Sequence, residues 1–193
     1  SPTDFDTTDM ATAIDKGLII DQDLSGKTHS DLDRFKKGGV DVQLFSVWCD
    51  GLKEHPYAWA NREMDTLDAV AKRNPGKIIK VGSSAELVQV VKEKKIAAMF
   101  GVEGGHMIEN NLNNLDNFYK RGVRYMTLTW NNSTDWATSA LDETTKADSL
   151  KHKGLTDFGK LVVKRMNELG MLVDLSHVGE QTFWDAINIT TKP

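Results

Sequence analysis

The chain of 193 residues has one cysteine, Cys49, so no internal disulfide framework and no cysteine-based zinc knuckle is available to it. It has no excess of basic charge. Lys and Arg number 24 against 28 Asp and Glu, a net charge of −4, and no basic stripe breaks the mixture. Nothing therefore points to a nucleic-acid partner. No apolar run approaches the ~20 residues that span a bilayer. Low-complexity tracts and fixed-period repeats are absent, as is a leader with a charged start and an apolar middle. The opening residues, Ser1-Pro2-Thr3-Asp4, leave an original export signal open.

What is present is an alternation of strand and helix patterns. A short helix over Asp31–Lys37, with Thr28 or Ser30 as N-cap, ends at Gly38-Gly39. Val40–Val47 reads as a β-branched and aromatic strand. The spacing of Ala60, Met64, Leu67, Val70 and Ala71 predicts a helix over Ala58–Lys72, stopped by Asn74-Pro75-Gly76. A short strand over Ile78–Val81 and a helix over Ser84–Lys94 follow, with Ser83 or Ser84 as N-cap.

Ile96–Val102 is apolar without alternation, as in a strand buried on both faces. A helix over Leu112–Lys120, a strand over Val123–Thr129 and a long polar loop over Asn131–His152 come next. Phe158, Leu161, Val162, Met166 and Leu169 mark a helix over Leu155–Leu169, capped by Gly170. Met171–Leu175 is a further buried strand, and a helix begins at Glu180. Such alternation implies α/β architecture with a parallel sheet. The Gly-x-Gly-x-x-Gly turn of dinucleotide folds is missing. Polar residues cluster instead just past several strands, the arrangement of a (β/α)8 barrel. Four or five convincing strands make up an incomplete portion of one.

Two strand ends carry chemistry. In Gly101-Val102-Glu103-Gly104-Gly105-His106, Glu103 follows a buried strand, and its flanking glycines permit close approach by a ligand or ion. A poorly solvated carboxylate needs a cation or a proton. Glu103 is either a metal ligand, a helix N-cap or a charge paired with a neighbouring arginine. In Asp174-Leu175-Ser176-His177 the imidazole stands at another strand mouth. It is either a metal ligand or a core histidine bonded to a carbonyl. One Glu and one His on the same side of a sheet fit part of a zinc set.

The remaining candidates read as structural. Asp174 lies inside its strand and is expected to be hydrogen-bonded there, or to support a ligand. His106 follows two glycines and is assigned a supporting role. His29-Ser30-Asp31 spells a His-x-Asp pair, but loop rather than strand precedes it, so it belongs to the start of a helix. His55 and His152 fall in polar loops and are expected to be solvated. Cys49 has no histidine near it in sequence and reads as a buried or semi-buried thiol. Trp59 and Trp184 lie on helix patterns as packing residues. Trp130, just beyond a strand, is placed to wall a substrate pocket.

Gly101–His106, Arg124–Thr129, Gly154–Gly159 and Met166–His177 occur together and in order, after Thr28–Leu32, Gly38–Val40 and Gln43–Trp48. Together they resemble the renal (membrane) dipeptidase family of zinc metallopeptidases. The resemblance runs from about Asp23 to Pro193. It implies a (β/α)8 TIM-type barrel of the metal-dependent hydrolase kind. Residues 1–193 would be the N-terminal portion of a single barrel domain, completed by a missing C-terminal part, with a homodimer as a further expectation. It implies two Zn2+ ions and hydrolysis of a dipeptide by a metal-activated water.

By the same resemblance Glu103 bridges the two ions and His177 binds one of them. Asp4 matches the aspartate of a first-strand His-x-Asp pair whose histidine position holds Pro2. Trp130 replaces a histidine that contacts substrate in some relatives. The proton-transfer residue is expected beyond Pro193, so this stretch alone is expected to be inactive. An exported location, periplasmic or cell-surface, is the family expectation. Two rival readings are a metal-free relative acting as a binding protein and another metal-dependent barrel amidohydrolase.

Overall fold

A computed structural model describes residues 17–192. The chain divides into two compact units. The first holds residues up to Val47 and Ala58–Phe100, the second Trp48–Tyr57 and Gly101 onward.

In the first unit, α1 (Leu32–Lys37) leads to β1 (Val42–Val47). The N-cap is Asp31, rather than Thr28 or Ser30. Its Oδ1 accepts from the Arg34 N–H at 2.8 Å, while Oδ2 takes the Leu24 N–H and the Arg34 guanidinium. Asp31 is thereby consumed by the helix start, in agreement with the structural reading of the His-x-Asp pair. Gly39, at φ 74°, supplies the left-handed turn into β1.

α2 (Pro56–Arg73) buries Ala60, Met64, Leu67 and Val70, the stripe its spacing predicts. β2 (Ile78–Lys80) and α3 (Ser84–Lys92) follow; the Ser83 hydroxyl caps α3 by accepting from the Glu86 N–H. β3 (Ile96–Glu103) shows almost unbroken burial. β2 lies parallel to it, Ile78 opposite Ile96 and Lys80 opposite Ala98, and β1 is also its neighbour. Val81, Val90 and Ala97 form a small core in this unit.

In the second unit a 3-10 turn over Gly105–Ile108 leads to α4 (Leu112–Lys120) and β4 (Val123–Thr127). The last residues of β3, from Gly101 to Glu103, belong to this unit, where the strand order is β3-β4-β5. The stretch expected to be a long loop contains α5 (Ala140–Thr145) and a 3-10 turn over Ala147–Ser149. Ser139 caps α5, its hydroxyl accepting from the Asp142 N–H. α6 (Asp157–Leu169) starts two residues later than its pattern suggested, because Thr156 caps it; Gly170 closes it at φ 74°.

β5 (Leu172–Asp174) lies parallel to β4, Tyr125 opposite Leu172 and Thr127 opposite Asp174. β5 is not the doubly buried strand its sequence suggested. Leu172 is 60% exposed, because β4 is its only ladder partner among the described residues. α7 (Glu180–Ile189) follows, and Trp184 on it is half exposed rather than packed. Leu161 of α6 also faces outward, since its stripe is anchored by Val162, Val163 and Met166 instead.

Candidate metal centre at the strand ends

Glu103 is the last residue of β3, and His177 stands three residues past β5. Both belong to the second unit. The sheet brings them together: Glu103 Oε1 is 3.5 Å from His177 Nε2, with side chains 31% and 38% exposed. The carboxylate is thus better hydrated than its apolar strand suggested. A charge-assisted N–H to carboxylate bond closes to about 2.7–2.9 Å. Two donors each about 2.0–2.2 Å from one tetrahedral ion stand about 3.4 Å apart. The observed spacing is longer than a closed hydrogen bond and leaves these two groups able to hold an ion between them. Among the described residues no group of three His, Cys, Asp or Glu side chains converges for a metal. Asp4 lies outside the described residues.

The backbone aims this pair. His177 has φ 63°, a left-handed conformation that costs a non-glycine residue about 1 kcal/mol or more. The surrounding chain holds it there. The Thr129 hydroxyl donates to the His177 carbonyl at 3.1 Å, and the Ala140 N–H donates to it at 2.8 Å. Next to it, Ser139 and Val178 form an antiparallel bridge, and the Gly179 N–H reaches the Thr138 carbonyl. Sequence reading missed these anchors by taking 131–152 as loop. The signal was there in Ser139-Ala140-Leu141-Asp142, a Ser-x-x-Asp start of a helix.

Asp174 takes the structural role expected of it. Its Oδ2 accepts from the Thr127 hydroxyl at 2.6 Å, and its Oδ1 from the Ser176 N–H and hydroxyl. Burial alone raises its pKa, but those donors and the nearby His177 hold it below the usual carboxylate value. The bonds tie the end of β4 to the turn that carries His177.

His106 turns away to a supporting role. Its Nε2–H donates to the Cys49 carbonyl at 3.2 Å and stands 3.7 Å from the Cys49 sulfur. Burial pushes its pKa down, against the opposing pull of that carbonyl and Asp50. Cys49 is buried, as expected, although a histidine distant in sequence adjoins it. His55 is exposed. His152 is not solvated as expected: its ring lies 3.1 Å from the Thr134 carbonyl and 3.2 Å from that of Gly154, pinning the loop ahead of α6.

Trp130 is half-buried beside the glycine that follows Glu103. A Cβ placed on Gly104 would stand 3.5 Å from the Trp130 Cβ. Its ring meets Trp48 edge to face, centroids 4.9 Å apart. Gly105 makes the close turn after Glu103 possible. A Cβ there would lie 2.4 Å from the Trp136 ring and 2.5 Å from the Leu128 carbonyl.

Comparison with solved structures recovers this fold. An amidohydrolase from Pseudomonas aeruginosa is 25% identical, with a TM-score of 0.70 over 84% of this chain and 46% of its own. The probable dipeptidase PvdM from the same organism superposes at TM-score 0.77 with 20% identity, over 90% of this chain and 46% of that one. A metallo peptidase from Rhodobacter sphaeroides, liganded with a phosphinate mimic of the dipeptide L-Ala-D-Ala, gives 0.78 and 19% identity, over 100% of this chain and 59% of that one. The chain thus spans about half the length of the solved structures it matches. Its parallel α/β sheet is part of a TIM-type barrel. The sequence model of the membrane dipeptidases, peptidase family M19, matches residues 6–193. The chain belongs to the membrane dipeptidase family of metallopeptidases.

Proposed function

We propose that the protein hydrolyses the peptide bond of dipeptides and depends on zinc. Glu103 and His177 would hold metal, with Asp4 a further ligand and Trp130 a wall for substrate. The observation that carries this is the 3.5 Å approach of a carboxylate oxygen at the end of β3 and an imidazole nitrogen just past β5. Bound zinc supplies Lewis acidity, which polarises a scissile carbonyl and brings the pKa of water toward neutrality.

The chain's own residues do the rest. Glu103 contributes negative charge that offsets the cation, and its strand fixes where that charge sits. His177 contributes an imidazole nitrogen, and its backbone carbonyl is anchored by the Thr129 and Ala140 hydrogen bonds. The dipeptide mimic bound to the Rhodobacter sphaeroides relative supports the choice of substrate.

The test is Glu103→Gln in the full-length protein, with metal content measured by elemental analysis and turnover measured on Ala-Ala. Both are expected to be lost. A variant that keeps stoichiometric zinc and full turnover refutes the role given to Glu103. A wild-type protein that takes up no metal at any loading supports a metal-free binding protein instead. Hydrolysis of cyclic amides in preference to Ala-Ala would favour a different barrel amidohydrolase.

A further inference from the structure

We propose that Glu143 is a positioning residue for the metal centre, acting by clipping down the chain just past His177; the inference rests on the reading of Glu103 and His177 as metal ligands. All the groups involved belong to the second unit. Glu143 lies on α5, and its Oε2 accepts the N–H of Glu180, the first residue of α7. α7 lacks any cap of its own. Its N-cap is Gly179, which has no side chain to offer to the open N–H groups of the first turn. The Glu143 carboxylate takes that role from another element and adds negative charge at the positive end of the helix.

Gly179 is shaped by this contact. Its φ of −67° is open to any residue, so glycine is there for space and not for conformation. A Cβ at this position would stand 2.3 Å from Glu143 Oε2. Lys153 Nζ lies 3.3 Å from the other oxygen, Oε1, and the Glu143 side chain is only 15% exposed. The carboxylate is therefore held from both sides.

The placement gives Glu143 a grip on the chain that carries His177. The segment 138–143 holds each residue from His177 to Glu180 in turn. The His177 carbonyl takes the Ala140 N–H at 2.8 Å, Val178 bridges Ser139, and the Gly179 N–H reaches the Thr138 carbonyl at 2.9 Å. Glu143 takes the last of them, Glu180. Ala140 and Glu143 are three residues apart on α5 and lie on the same side of it. One short helix thus grips both ends of the segment, and His177, at φ 63°, sits at the near end. Removing the far grip loosens the support of a strained backbone.

The test uses the full-length protein, with zinc affinity measured by competition with a chromophoric chelator and coordination geometry read from the visible spectrum of the cobalt-loaded form. Glu143→Ala and Gly179→Ala are each expected to weaken zinc by about tenfold, the usual effect of losing a group that orients a ligand, and to change the cobalt spectrum. The double variant should be no weaker than either single one, because both remove the same contact. Glu143→Gln keeps an oxygen for the Glu180 N–H and should restore most of the affinity. Asp185→Ala is the control. Asp185 accepts the Leu155 N–H at 2.8 Å and anchors α7 away from the His177 segment, so its loss should lower the melting temperature and leave zinc affinity unchanged. Wild-type affinity and spectrum in Glu143→Ala, additive losses in the double variant, or an equal loss in Asp185→Ala overturns the positioning role while leaving the metal-ligand reading intact. A wild-type protein that binds neither zinc nor cobalt overturns both. If Glu143→Ala does not fold, Gly179→Ala decides, since its methyl displaces only the end of a flexible side chain.

Discussion

Gly105→Ala tests whether the turn after Glu103 is as tightly built as the structure makes it. Gly105 lies in a helical turn with no positive φ, so alanine carries no backbone penalty there and the effect is steric. The new methyl would meet the Trp136 ring at 2.4 Å and the Leu128 carbonyl at 2.5 Å. Neither can retreat cheaply. Trp136 is 1% exposed, packs on Phe158, and accepts the Thr156 N–H on its carbonyl. Leu128 is fully buried, and its N–H bonds the Asp174 carbonyl. Overpacking of this sort costs about 1–3 kcal/mol, and two immovable neighbours place it near the upper end, about 3 kcal/mol. For a chain of this size that lowers the melting temperature by about 6–12 °C. Thermal and urea melts of the purified protein read it. The control is Gly76→Ala, where no heavy atom stands within 4 Å and φ is not positive; it should be neutral or slightly stabilising. A Gly105→Ala melt within 2 °C of wild type would refute the packing argument.

Asp31 predicts a specific acid sensitivity. Burial raises its pKa, but the Arg34 N–H and guanidinium and the Leu24 N–H outweigh that and lower it from 3.8 to about 2. A depressed carboxylate contributes stability above its unfolded value, so about 2 kcal/mol is present above pH ~4 and lost as pH falls toward 2. Urea melts between pH 2 and 5 should show this slope in wild type and a shallower one in Asp31→Asn; identical slopes would remove Asp31 as its source. Thr129→Val should cost about 1 kcal/mol, near the ordinary worth of one hydrogen bond, because the His177 carbonyl keeps the Ala140 N–H. It should also weaken zinc binding in a competition titration; unchanged affinity would detach Thr129 from the aim of His177.

The parts of the fold legible from sequence are those where local pattern and burial agree. β3 could be read because every residue from Ile96 to Val102 is apolar or glycine, and α2 because its apolar stripe coincides with the buried face. The pattern misled where apolar identity and burial part company. Leu172 and Trp184 are exposed, since how much a residue is covered depends on which elements lie beside it and not on its own side chain. Glu103 and His177 could be found as residues, because each stands just past an apolar run. Their 3.5 Å separation could not, because it depends on the order of β3, β4 and β5 across a span of 74 positions. Similarly, the solvation expected of His152 failed because carbonyls at Thr134 and Gly154 fold back onto its ring, and no local pattern announces that.

The left-handed backbone at His177 is held by a loop that follows a different strand. Glycine would adopt φ 63° without strain, yet the chain keeps a histidine there and restrains it with contacts from a different loop. The imidazole stands there facing the carboxylate of Glu103. The Thr129 hydroxyl and Ala140 N–H act as the supports that hold this backbone in place. Ser139, by starting α5 directly behind them, fixes where those supports stand. The polar stretch after β4 is therefore the scaffold of the histidine after β5, and the two loops operate as one piece.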